Sequence, residues 1–186
     1  MIPGNETLFI HGIQQVIFTT PWVMALMIFM ARWLILANLF FVVYFLTSKS
    51  KKDRHVAIEI AWSFIFALII TTVISYFISR DRPFVAVPDI VLLIPPPFNS
   101  SFPSGHTGAA IAIALTIFNR NKLMGAISFL IAAFVAFGRL ATGVHYPTDL
   151  LGGVFVGLLS FSVVMILHRE LGSSDILNSA KRYIHK

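Results

Sequence analysis

Five stretches of mainly apolar residues, at Trp22–Leu46, His55–Ile78, Thr107–Phe118, Leu123–Thr142 and Thr148–Leu167, dominate this sequence. A helix that crosses a bilayer needs about 20 such residues. Backbone inside lipid must also satisfy its own hydrogen bonds, which a helix does within one segment. The pattern therefore predicts an all-α integral membrane bundle of five to six transmembrane helices. The third stretch is short, so its helix is expected to borrow residues from both flanks. The first is long and is interrupted by Arg32. Ahead of it, Leu8–Phe18 has an apolar face with Gln14 and Gln15 opposite, and either lies in the interface or begins the sixth crossing. Only 12% of the 186 residues are charged, against about 25% in an ordinary soluble domain. With 57% apolar residues and a mean hydropathy of +0.84, lipid must face much of the surface. No repeat or long linker divides the chain, so one membrane domain is expected over residues 1–186. Met1–Glu6 has no basic residue ahead of the apolar stretch and does not read as a cleaved signal peptide.

The net charge of +6 would suit a nucleic-acid binder, but the placement of the charges argues otherwise. Lys49, Lys51, Lys52 and Arg54 follow the first stretch, and Arg120 and Lys122 separate the third from the fourth. Arg169, Lys181, Arg182 and Lys186 follow the fifth. If the five spans alternate, all of these fall on one side, which the positive-inside rule makes cytoplasmic. Arg32, Arg80, Arg82 and Arg139 are left over, and the last three sit at the outward ends. Most of the basic excess is thus topology, and no nucleic-acid partner is expected. The chain has no cysteine, hence no disulfide, thiolate nucleophile or Cys-based metal site.

Three polar clusters converge on the outward ends. The second stretch ends in Arg80-Asp81-Arg82-Pro83, the third opens at Pro103-Ser104-Gly105-His106, and Arg139, His145 and Asp149 lie between the fourth and fifth. Titratable residues are costly at a membrane boundary and mark functional sites when they gather. These types suit phosphoryl transfer, in which negative charge spreads over the transferring oxygens and catalysis is mostly positioning and electrostatics. Arg82 and Arg139 offer planar donor forks that match phosphate. Ser104 and Gly105 stand where a helix begins, with free N–H groups and the positive end of its dipole. His106 can protonate a leaving oxygen. Pro147 suits a helix first turn, so Asp149 can reach back to the His145 ring, fix its tautomer and free the other nitrogen to attack.

These clusters resemble the type 2 phosphatidic acid phosphatase superfamily, whose signature is Lys-x6-Arg-Pro, Pro-Ser-Gly-His and Ser-Arg-x5-His-x3-Asp. The resemblance covers about Ser75 to Asp149, and the helix pattern extends it to nearly the whole chain. It implies a compact helical bundle and dephosphorylation without a metal or other cofactor. On the matching positions it makes His145 the nucleophile, His106 the acid and then base, and Asp149 the orienter. Arg82, Arg139, Ser104 and Gly105 become the phosphate ligands.

Two positions depart from the signature. Ser75 stands where the family has lysine, and Gly138 where the third motif has serine. Arg80 or Arg32 is a possible auxiliary cation in place of that lysine; Arg32 either points inward at the phosphate or snorkels to the headgroups. Small size, Arg82-Pro83-Phe84, the Ser101–Ser104 run and the absent lysine look most like the short bacterial undecaprenyl-diphosphate phosphatases. That likeness implies an outward-facing site in the cytoplasmic membrane, a lipid phosphate or diphosphate as partner, and no obligate protein partner. Phosphatidylglycerol phosphate, phosphatidic acid and lipid A phosphate remain alternative substrates, and a phosphotransferase would differ only in its acceptor. The apolar loop Val85–Phe98, with four prolines, either frames lipid access or is a rigid connector. A transporter or scaffold relaying protons would place its polar residues near the bilayer midplane, where this chain has few.

Overall fold

The computed structural model describes residues 4–95 and 100–173, and among these there are helices and no strands. Helix α1 spans Gly4–Phe18, α2 Pro21–Arg32, α3 Asn38–Thr47, α4 Lys51–Phe77, α5 Pro83–Ala86, α6 Gly105–Arg120, α7 Lys122–Ala141 and α8 Pro147–Ser173. Pro96, Pro97, Phe98, Lys181, Arg182 and Lys186 lie outside the described residues.

Local chemistry sets the ends. Pro21, Pro83 and Pro147 each open a helix, where a missing N–H costs nothing. Ser50 caps α4 by accepting from Asp53 N, and Asn121 caps α7 by accepting from Met124 N at 3.0 Å. The third apolar stretch did borrow from its flanks, to give the 16-residue α6.

The first stretch is not one helix. Its chain turns by 59° between α2 and α3 through a short 3-10 turn at Leu34–Ala37. The break follows Arg32, and the Ala31 carbonyl accepts from Arg139 Nη1 at 3.4 Å, so a side chain from α7 intrudes where the ladder stops. Among the described residues three helices are long and apolar enough to cross a membrane (α4, α7 and Pro147–Glu170 of α8), and the bent pair makes a fourth if counted as one span. The five to six crossings expected from sequence are therefore not confirmed. At 15 and 16 residues, α1 and α6 reach only about 22–24 Å.

Helix α6 is the axis, packed by α4, α7 and α8. Its buried face is mostly small: Gly108, Ala109, Ala110, Ala112 and Ala114. A Cβ on Gly153 would stand 2.7 Å from the Ser104 carbonyl, and one on Gly157 would stand 2.6 Å from Ile111. Apolar side chains gain little from leaving lipid for a helix interface, so close backbone approach and interhelical hydrogen bonds hold such bundles. Buried bonds of that kind between side chains join Ser63 to Thr116 at 2.8 Å and Ser128 to Asn38 at 2.7 Å. Large apolar side chains such as Trp22, Phe40, Tyr76 and Phe155 face outward instead.

Two expectations about the periphery change. Gln14 does not face water; it is buried and bolts α1 down, donating to Val91 O at 2.8 Å and Ala141 O at 3.2 Å and accepting from Val91 N. An amide can be buried because backbone groups saturate it. The described part of the proline loop also turns inward, seating Ile90 against Ile10, Leu140 and Tyr146, and Ile94 against Ala31 and Val144.

The two ends of the bundle differ. At one end Arg120 pairs with Asp53 at 2.6 Å and His168 lies 2.9 Å from Glu59, which gathers the start of α4 with the ends of α6 and α8. The signature clusters all lie at the other end. Replacing Gly153 with leucine forces α8 off α6 and is expected to cost about 1–3 kcal/mol, read as a lower melting temperature in detergent.

Candidate active site

The structure brings Arg82, Gly105, His106, Arg139 and His145 together around the head of one cavity of about 550 Å³. Below them the wall turns apolar, with Ile35, Leu39 and Val42 on one side and Leu68, Phe64 and Ile60 of α4 on the other. Arg82 reaches the head from the residue before α5, Gly105 and His106 from the first turn of α6, and Arg139 from the last turn of α7. Gly143, at φ +76°, takes the left-handed conformation that lets the chain reverse after α7. That reversal returns His145 to the same head.

His145 is 3% exposed and held at both ring nitrogens. Its Nδ1 lies 2.8 Å from the Ser101 carbonyl and 3.5 Å from Asp149 Oδ2. A carbonyl only accepts, so Nδ1 carries the proton and Nε2 keeps its lone pair. Nε2 is 3.5 Å from Arg82 Nη1, which puts its lone pair beside a guanidinium. The direct orienter of the ring is thus the Ser101 carbonyl. Asp149 stands behind it, fully buried, with Oδ2 accepting from the Ser101 hydroxyl and from Tyr146 N at 2.8 Å. Ser101 had no assigned role in the sequence, although the Ser101–Ser104 run was visible.

Burial is the main reason that the His145 pKa falls to about 4, with Arg139 and Arg82 pushing the same way and Asp149 opposing them. Burial also lowers Arg82, to about 10, leaving it charged at neutral pH. Arg82 donates to Val144 O at 2.7 Å and Ser100 O at 3.0 Å, so its fork is fixed before any ligand arrives. Arg139 is 5% exposed, and its Nε has no hydrogen-bond partner among the described residues. A buried guanidinium donor left unpaired is costly, and an anion in the cavity head would satisfy it. The first N–H groups of α6 have no intrahelical partner and suit the same anion.

The side chains of Ser104 and of the two possible auxiliary cations lie outside the cavity. Ser104 is fully buried, its hydroxyl lies 3.0 Å from Thr107 Oγ1, and its side chain does not line the cavity. Arg32 is exposed, with its guanidinium 5.2 Å from the Trp33 ring centre, so the inward-pointing alternative fails and the outward one stands. Arg80 is engaged outside the cavity, with Asp149 at 2.7 Å and Glu6 at 2.8 Å. Neither arginine lines the cavity. At that lysine's position, Ser75 donates to Phe102 O at 3.1 Å and helps to fix the loop before α6. Glu6 gave no signal in the sequence.

The second departure has a steric cause. A Cβ on Gly138 would lie 2.6 Å from Ala31 N and 2.8 Å from Met30 Cβ, so α2 occupies the space where the family places a serine side chain. Gly138→Ser, which restores the family residue, is expected to lower stability by about 1–3 kcal/mol, measured as detergent melting. A pH effect follows from His145. Between its ordinary 6.5 and its folded value of about 4, the unfolded chain binds a proton that the folded chain does not. Stability therefore drops as pH falls across that window and levels off below it. Melting of wild type against His145→Gln between pH 7 and 4 checks this, and the variant should lose that component.

The comparisons with known proteins agree with this geometry. The sequence profile described as the PAP2 superfamily matches residues 56–173. A Bacillus licheniformis protein named bacitracin transport permease protein BcrC is 34% identical over 119 residues, 64% of this chain and 58% of its own length. This chain thus spans less than two thirds of that relative. The undecaprenyl-diphosphatase BcrC of Bacillus subtilis is 31% identical over 136 residues, 73% of this chain and 69% of that protein. A crystal structure of a transmembrane PAP2-type phosphatidylglycerolphosphate phosphatase from Bacillus subtilis superposes with a TM-score of 0.64 at 24% identity, covering 91% of this chain and 89% of that one. The last match speaks to the fold alone. With the profile covering more than half of its residues and the signature side chains meeting around one cavity, the chain belongs to the PAP2 superfamily.

Proposed function

We propose that the protein hydrolyses a polyprenyl diphosphate, undecaprenyl diphosphate, to the monophosphate and inorganic phosphate. The observation that carries this reading is the cavity itself, whose cationic head with two arginines and two histidines runs into an apolar trough between α3 and α4. A diphosphate on a long hydrocarbon tail has that polarity, with the first units of the tail in the trough and the rest in the bilayer. The name of the Bacillus subtilis relative supports the same substrate.

The terminal phosphoryl group sits between Arg82, Arg139 and the start of α6. The His145 Nε2 lone pair attacks its phosphorus from one side. The bond to the bridging oxygen breaks, its electron pair goes to that oxygen, and His106 supplies the proton. The phosphorylated imidazole keeps its Nδ1 proton on the Ser101 carbonyl, and Asp149 at 3.5 Å offsets its positive charge. Water then attacks the phosphorus and gives its proton to His106, and the N–P electrons return to Nε2. Two buried arginines supply the charge that a metal would otherwise provide. A site turned away from the Lys49–Arg54 end faces the exterior side of a bacterial cytoplasmic membrane under the positive-inside rule.

Purified protein in detergent is expected to release phosphate from undecaprenyl diphosphate in excess EDTA. His145→Ala should lower kcat by at least about 1000-fold. Faster release, as kcat/KM, from phosphatidylglycerol phosphate or phosphatidic acid would reassign the substrate. Release that stops in EDTA would overturn the metal-free step.

A further inference from the structure

Arg80 was singled out by the sequence as a spare cation, yet it sits outside the cavity, and its surroundings point to different work. Its Nη1 donates to Asp149 Oδ1 at 2.7 Å and to the Thr148 hydroxyl at 2.7 Å. Its Nη2 donates to Glu6 Oε2 at 2.8 Å, and the guanidinium lies 4.0 Å from the Tyr146 ring centre. Glu6 completes a loop by accepting the Thr148 N–H, in the first turn of α8, through Oε1 at 2.8 Å. The Arg80 backbone is tied to the other wall of the site, because its carbonyl accepts from Ser101 N at 2.9 Å. So one residue holds both groups next to the His145 Nδ1, the Ser101 carbonyl through its backbone and Asp149 through its side chain.

The chemistry favours a positioning role over a surface ion pair. Asp149 is fully buried, and a buried carboxylate without a cation is strongly disfavoured. Its Oδ2 is occupied by Ser101 and Tyr146 N, while Oδ1 is held by Arg80. Arg80 would in turn be free to change rotamer, but Glu6 and the Tyr146 ring restrain it. Glu6 belongs to α1, which lies ahead of the 56–173 segment covered by the family profile.

We propose that Glu6 and Arg80 are positioning residues, a charge chain from α1 that holds Asp149 and the start of α8 so that the His145 ring stays aligned for attack. This rests on the assignment of His145 as the nucleophile. The chain acts on turnover rather than on substrate binding, since neither side chain lines the cavity.

The test measures kcat, KM and detergent melting for Arg80→Gln, Arg80→Lys, Glu6→Gln and the double Glu6→Gln/Arg80→Gln variant, with phosphate release from undecaprenyl diphosphate or phosphatidic acid. Asp53→Asn, which breaks the ion pair at the opposite end, is the control for losing any salt bridge. Arg80→Gln should lose about 10- to 100-fold in kcat, the effect of a small misalignment, with little change in KM. Arg80→Lys should recover part of the loss, Glu6→Gln should show a smaller one, and the double variant should match Arg80→Gln. A raised KM with kcat intact would make Arg80 a substrate cation and overturn the proposal. Wild-type kinetics in Arg80→Gln, or an equal kcat loss in Asp53→Asn, would also overturn it. If Arg80→Gln does not fold, Arg80→Lys and Glu6→Gln decide: lower kcat at wild-type melting supports the chain, and unchanged kcat in both refutes it. His145→Ala is run alongside. Turnover surviving in that variant would remove the nucleophile assignment, whereas a silent His145→Ala with normal Arg80 and Glu6 variants would remove only this inference.

Discussion

A single buried carboxylate organises the end of the bundle that carries the signature clusters. Asp149 has no exposed surface, and such a group is tolerated only when donors saturate it. Ser101, Tyr146 N and Arg80 all donate to its side chain, and its backbone carbonyl accepts from Ser104 N at 3.0 Å. Those donors come from the loop before α6, the turn before α8 and the segment after α4. Satisfying one charge therefore fixes three pieces of chain that have no regular structure, and His145 lies among them. The ring of His145 is aligned mainly by what Asp149 holds in place.

The rest of the bundle makes that precision affordable by being tightly packed with small residues. Gly108, Ala109, Ala112 and Gly153 let α6 touch its neighbours through backbone. Such contacts tolerate little sliding, so the first turn of α6 is held firmly against α8 at the head of the cavity. Gly138 shows the same principle at the cost of a motif residue, because α2 packs on α7 so closely that a serine hydroxyl has no room. After the bend, the 3-10 turn and α3 supply Ile35, Leu39 and Val42 to the wall of the apolar trough.

Much of the site was legible from residue type and spacing. Arg82, Gly105, His106, Arg139 and His145 were expected together, and they line one cavity. The readings that failed share a cause. Of the two readings left open for Arg32, the inward one supposed that a charge in an apolar run needs a partner inside, but the exposed Trp33 ring beside it offers one outside. Gln14 was read outward from helix periodicity, but the partners that bury it, at Val91 and Ala141, are distant in sequence. Ser104 was placed at the phosphate by its motif position and Arg80 was one of two possible auxiliary cations, yet side-chain direction turns one to Thr107 and the other to Asp149 and Glu6.

The sequence by itself determined the solvent, the helical class and the chemistry. Apolar runs of spanning length, most basic residues gathered in one set of loops, and Pro-Ser-Gly-His with a spaced Arg, His and Asp are properties of order along the chain. The tertiary structure decided which hydrogen bonds those residues make, because each depends on segments brought together from far apart. The proton on His145 Nδ1 follows from a carbonyl 44 positions away, and Arg80 meets Glu6 across 74. Local pattern carries no information about such pairings; the packing of α6 against its neighbours creates them.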